Sequence, residues 1–148
     1  MPTPSTIPTI IVDTREQEPY TFSPRVSTIR AKLHAGDYSI LGMEQRVAVE
    51  RKSMADFVNT IMHSRKRFFA ELSLLKHMRA VVVIECSWRD LITGAYSTGA
   101  NPESVAALAM TIHHAYCPIF CAGDRPAARD FTERFLARAW AWEEKSEK

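Results

Sequence analysis

The sequence predicts an α/β fold, a central mixed β-sheet flanked by helices, in one domain spanning residues 1–148. Three observations lead there. Candidate strands crowd the first third, and strand and helix then alternate, the order of a sandwich with helices packed on a sheet. The stretch RAVVVIEC, residues 79–86, is continuously apolar and β-branched, as in a central strand buried on both faces. A chain of 148 residues, 46% hydrophobic and 24% charged, is long enough for one proper core.

The elements follow in order. Residues 1–8 are expected to fray. TIIV, residues 9–12, reads as a buried strand that DTREQEP ends with charge and proline. RVSTIRAKL, 25–33, alternates enough for a second strand. DYSI, 37–40, is a short third strand, LGMEQ a hairpin turn carrying Gly42, and RVAVERK, 46–52, the fourth strand. Ser53 is a good N-cap for a helix over 53–62 with Phe57, Val58, Ile61 and Met62 as its apolar stripe. A second helix covers 65–78, with Phe68, Leu72 and Leu75 at helical spacing. After the strand 79–86 comes a short helix with a glycine-containing loop. Asn101 followed by Pro102 then starts a helix whose face is Val105, Leu108, Ala109 and Ile112. CPIFCAG is the last strand. The last helix, 124–142, carries Phe131, Phe135 and Trp142 on one side, and 143–148 is expected to fray.

Composition excludes little by itself. A net charge of +2 permits nucleic-acid binding without arguing for it. No apolar run reaches the ~20 residues that span a bilayer. Three cysteines, an odd number, and no secretory leader predict reduced thiols in a cytoplasmic protein. His113, Cys117 and Cys121 do not predict zinc, because Pro118 interrupts a continuous helix and no fourth ligand is evident.

The informative stretch is HAGDYSILGMEQRVAVERKSMADF, residues 34–57. Side chains alternate across a strand, so Ala48, Glu50 and Lys52 share one face and Val47, Val49 and Arg51 the other. Glu50 and Lys52 are then roughly 6.5 Å apart along the strand. If 37–40 and 46–52 pair around the turn, Asp37 returns beside Glu50–Lys52. Two carboxylates and a lysine would converge, and hard oxygen donors suit Mg²⁺ or Mn²⁺. Such an ion polarises a phosphodiester and sharpens a bound water, and Lys52 orients that water or offsets phosphate charge. Plainer readings stand beside this one. Glu-Arg-Lys is commonly a solvated run. Ser53 and Asp56 fit a capping box. Arg51 fits an ordinary ion pair, and Asp37 after Gly36 a turn.

GDY at 36–38, ERK at 50–52 and an aspartate four residues past the lysine resemble the signature of XPF-type structure-specific endonucleases, within the PD-(D/E)XK nuclease superfamily. IIVDTRE at 10–16 resembles that family's opening strand, VVVIE at 81–85 a later strand ending in glutamate, and RFFAEL at 67–72 a helix with an arginine and, four residues on, a glutamine. Glu71 stands in the glutamine's place. The resemblance covers Ile10–Cys86 closely and the last third loosely.

It implies a restriction-endonuclease-like core in which Asp37, Glu50 and Asp56 hold Mg²⁺ or Mn²⁺. Lys52 would be the catalytic lysine, Arg51 and Asp13 would complete the catalytic set, and Arg15 and Glu16 would edge the pocket. The helix arginine would be Arg65 or Arg67. With His63, Lys66 and two phenylalanines these form HSRKRFF, read as a phosphate-binding strip. With five glycines and no paired hairpin pattern, the chain resembles a stand-alone nuclease domain of the phage or bacterial kind. The expected activity is metal-dependent cleavage of branched, flap or fork DNA, in the setting of DNA repair and recombination. Relatives dimerise through the last helices, so a homodimer is expected. The alternatives are a non-catalytic DNA- or partner-binding scaffold, which would tend to lack the acids present here, and a sequence-specific restriction-type nuclease, against which GDY and Asp-x-Arg-Glu weigh.

Overall fold

Alternation along Val47–Lys52 decides which way the sheet faces. A computed structural model describes residues 8–96 and 98–146. Its elements are β1 (Ile10–Asp13), β2 (Thr28–Ala31), β3 (Tyr38–Ile40), β4 (Val47–Lys52), α1 (Met54–His63), α2 (Arg65–Leu75), β5 (Arg79–Ile84), α3 (Trp88–Thr93), α4 (Pro102–Ala115), β6 (Ile119–Cys121) and α5 (Arg125–Ser146). The six strands form one mixed sheet in the order β2-β1-β3-β4-β5-β6. β3 pairs antiparallel with β1 and β4, as the hairpin reading required, while β2 runs parallel to β1 and β5 runs parallel to β4 and β6.

Two cores lie on the two faces. Ala48, Val82 and Ile84 pack with α1, α2 and α4 through Phe57, Ile61, Phe68, Leu72, Val105 and Ile112. Val47, Val49, Val81 and Val83 pack with Tyr38, Ile40 and α5 through Ala128, Leu136 and Ala139. Even-numbered residues of β4 and β5 therefore face α1 and α2, and odd-numbered residues face α5.

Caps were legible. The Ser53 hydroxyl accepts from the Asp56 backbone N–H at 3.1 Å, and Asn101 accepts from Glu103 and Ser104. Several expectations need correction. β5 is not among them: it is paired on both sides and buried along Ala80–Ile84 on both faces, as expected, although it lies fifth of six. β2 is shorter than the expected 25–33; among the described residues it is the other edge of the sheet, and it is largely exposed. Met62 points to solvent while Phe57, Val58 and Ile61 form the buried stripe of α1. On α5 the buried stripe is Ala128, Thr132, Leu136 and Ala139; small residues let the helix approach the sheet, and the aromatic side lies alongside. That helix runs to Ser146, past the expected fraying point at 143, with Glu143 paired to Arg79 at 3.1 Å. Residues 1–7 and 147–148 lie outside the described residues, so most of the expected frayed leader does too. Among the described residues no helix is long and apolar enough to cross a membrane.

Candidate active site

The geometry begins at Gly36. Its φ of +79° lies where side chains are strained, and a Cβ there would stand 2.9 Å from the Ala48 Cβ. Glycine lets the chain turn tightly against β4, so that the Asp37 N–H donates to the Val49 carbonyl at 2.8 Å. The Asp37 carboxylate in turn accepts from the Arg51 backbone N–H at 2.8 Å. The turn thus delivers Asp37 beside Glu50.

Asp13, Asp37, Glu50 and Lys52 line one cavity of about 360 Å³, with Arg15, His34, Arg67 and Glu71 around it. Asp37 and Glu50 therefore point the same way. Glu50 is only 9% exposed. Burial, then the neighbouring Asp37 charge, push its carboxyl well above the ordinary range. Burial, with added repulsion from Glu16 and Asp13, pushes Asp37 up to about 6, against the Arg51 N–H and the Lys52 charge. Lys52 Nζ lies 3.9 Å from Glu50, 3.4 Å from the Thr60 hydroxyl and 4.8 Å from the centre of the Phe68 ring.

Asp13 does a different job. Its carboxylate accepts from the Leu33 N–H at 2.8 Å and from the Arg15 side chain at 2.8 Å. Burial alone would raise it, but those bonds hold it below the ordinary value. Asp13 clamps the loop that carries His34 to Asp37, with its oxygens committed to protein donors.

The structure does not bring every expected residue together. Asp56 lies on the exposed first turn of α1 and lines a second cavity of about 330 Å³ with Arg15, Glu16, Arg51 and Ser53. Among the described residues no three His, Cys, Asp or Glu side chains gather closely enough to cage a metal. Asp56, expected beside Asp37 and Glu50, does not line their cavity, because it leaves the strand with the helix. Arg51 faces α5 and pairs with Glu85 through two bonds of 2.9 Å, with Glu16 at 3.5 Å. Of the two helix arginines, Arg67 reaches the cavity, 3.6 Å from Glu71, whereas Arg65 folds back to the Ile61 carbonyl at 3.2 Å. Lys66 is exposed on the same helix. His113 accepts from the Ile119 N–H at 3.1 Å, and Cys117 is buried in the core.

Sequence reasoning missed His34, Glu85 and Tyr20 as neighbours of the site. The signal for Glu85 was visible, a glutamate closing an apolar strand, but its partners are far away in sequence.

The donors present fit a hard divalent cation. They are carboxylate oxygens, and the burial that holds both carboxyls above their ordinary range, with the Asp37 charge added at Glu50, is what a bound cation would offset. One consequence concerns pH. An acid raised in the folded state favours folding below its unfolded value and loses that contribution as pH rises through about 6. In chelator, the stability of the parent relative to Asp37→Asn should therefore improve on going from pH 7.5 to pH 4.5, by on the order of 2 kcal/mol. Urea midpoints at the two pH values read it, and saturating Mn²⁺ should flatten the trend.

A family model described as "ERCC4 domain" matches residues 12–135. The chain is similar to the solved structure of XPF from Aeropyrum pernix, at 23% identity and a TM-score of 0.67, over 90% of this chain and 65% of that one. It is likewise similar to XPF from Aeropyrum pernix in complex with DNA, at 23% identity and a TM-score of 0.64, over 92% of this chain and 66% of that one. The chain thus spans just under two thirds of the length of either, and at that identity the likeness is one of fold. No curated protein matches it.

Proposed function

The chain belongs to the ERCC4 domain family, and from that premise we propose that it is a metal-dependent DNA endonuclease, hydrolysing phosphodiesters in branched, flap or fork DNA as a single nuclease domain. The observation that carries this reading is the convergence of Asp37, Glu50 and Lys52 in one cavity. DNA as the substrate class is supported by the fold shared with an XPF structure in complex with DNA.

Asp37 and Glu50 would hold Mg²⁺ or Mn²⁺, the remaining ligands coming from water and phosphate, as is usual for Mg²⁺. When bound, the ion supplies Lewis acidity and a more acidic water. The chain's own residues do the rest. Lys52, fixed between Glu50, Thr60 and the Phe68 ring, presents a positive charge to the reacting phosphate and a donor to the attacking water. Arg15 and Arg67, exposed at the cavity rim, contact flanking phosphates, and Arg65 and Lys66 extend that basic strip. Asp56, Glu16 and Arg51 line the adjoining cavity, and Arg51 is held there by its pair with Glu85.

The test is cleavage of labelled flap, fork and duplex DNA with Mg²⁺ or Mn²⁺. The parent should cut at least the branched substrates and Asp37→Ala should not. A parent that binds DNA yet cuts none of them would replace this reading with the scaffold.

The same reading makes the protein a homodimer. Phe120, 41% exposed, stacks on Phe131 at 4.0 Å on the β6 edge, and Trp142 on α5 is 56% exposed. Such aromatic exposure suits a partner copy. The parent should sediment as a dimer at micromolar concentration and Phe120→Glu as a monomer. A monomeric parent would contradict it.

A further inference from the structure

Behind the cavity, on the α5 side of the sheet, lies a polar network that the proposed chemistry does not use. Its centre is Glu85, whose side chain is only 6% exposed. The carboxylate accepts two bonds from the Arg51 guanidinium at 2.9 Å each, one from the Tyr20 hydroxyl at 2.6 Å and one from Arg125 at 3.3 Å. Arg125 opens α5 and also donates to the Glu18 carbonyl at 2.6 Å. Its guanidinium lies over the Tyr20 ring at 4.7 Å, and Tyr20 stacks on Tyr38 at 5.2 Å. Burial alone would raise Glu85, yet the Arg51 and Tyr20 bonds and the two guanidinium charges keep it below the ordinary range.

Arg51 joins this network to the cavity. Its side chain faces α5, while its backbone N–H lies in the sheet plane and donates to Asp37 at 2.8 Å. A bidentate, buried ion pair holds a guanidinium in one orientation. That fixes the residue's backbone, and with it the donor that aims Asp37.

We propose that Glu85 is a positioning residue of the site: acting through Arg51, it sets the Asp37 carboxylate from the opposite face of the sheet. Tyr20 and Arg125 hold Glu85 in turn, so the start of α5 is tied to the cavity. The functional meaning of this device rests on the nuclease reading, but the physical claim does not.

The test uses the full chain and two readouts that need no DNA. One is amide hydrogen exchange at the Arg51 N–H, and the other is calorimetric titration with Mn²⁺ alone. Glu85→Gln keeps the shape and removes the charge. It should speed exchange at Arg51 by about tenfold relative to Val49 and Val82. It should weaken Mn²⁺ binding by about tenfold, as loss of an outer-shell partner does. Glu133→Gln is the control. That residue anchors Ser23 through two bonds of 2.8 Å elsewhere on α5, and its loss should move neither readout. Arg51→Gln combined with Glu85→Gln should lose no more Mn²⁺ affinity than Arg51→Gln alone. Unchanged exchange at Arg51 in Glu85→Gln, equal effects from Glu133→Gln, or additive losses in the double variant would each overturn the proposal. A parent that binds no Mn²⁺ would instead sink the metal-dependent reading, and exchange would still decide this one.

Discussion

Replacing Lys52 with alanine should cut the rate of DNA cleavage by on the order of 10²- to 10³-fold, the usual loss when one preorganised charge is removed from a reacting centre. The size follows from how the ammonium is held. Thr60 at 3.4 Å, Glu50 at 3.9 Å and the Phe68 ring at 4.8 Å surround it on the cavity wall, so it is already placed before charge develops on the phosphate. Binding should survive, because the substitution leaves the proposed phosphate contacts of Arg15, Arg67 and the neighbouring helix untouched. Single-turnover cleavage and DNA binding in chelator separate the two effects. Lys52→Ala cutting as fast as the parent would remove this lysine from the chemistry.

The largest loss of stability should come from Gly36→Ala. A left-handed φ costs an L-residue about 1–2 kcal/mol, and forcing a methyl into a filled core adds about 1–3 kcal/mol. Both apply at Gly36, where the new Cβ would meet the Ala48 Cβ at 2.9 Å and the Val49 carbonyl oxygen at 3.2 Å. The expected cost is about 3 kcal/mol, read as a lower urea midpoint at unchanged slope. Cleavage should fall with it, because relief of the clash pushes Asp37 away from β4. Adding Ala48→Gly removes one of the two close contacts and should recover part of the loss. A variant as stable as the parent would mean that the turn is not the tight one described.

How much of this was legible in the sequence depends on the range of the interaction. Alternation along Val47–Lys52 correctly divides Glu50 and Lys52 from Arg51, because a strand's period leaves no choice. The short turn at 41–46 then returns Asp37 to Glu50, since a hairpin's register is set locally. Ser53 and Asn101 announce their helices through side-chain caps that reach only two or three residues.

What was not legible is what depends on distant partners. Asp56 sits four residues past Lys52 in sequence, yet its place is set by the direction in which α1 leaves the sheet. Tyr20, Glu85 and Arg125 meet across separations of 40 and 65 residues, which no local pattern reports. The parallel pairing of β2 with β1 is likewise a product of tertiary packing. On α5 the aromatic residues drew attention away from Ala128, Thr132 and Ala139, the small positions that touch the sheet.

The most direct measurement is a crystal structure of the protein with Mn²⁺, read from the anomalous signal of the metal. One Mn²⁺ peak should stand between the side-chain oxygens of residues 37 and 50, and Glu50→Gln should erase it. A peak at Asp56 instead, or none beside that pair at saturating Mn²⁺, would contradict the claim that these two acids share one ion.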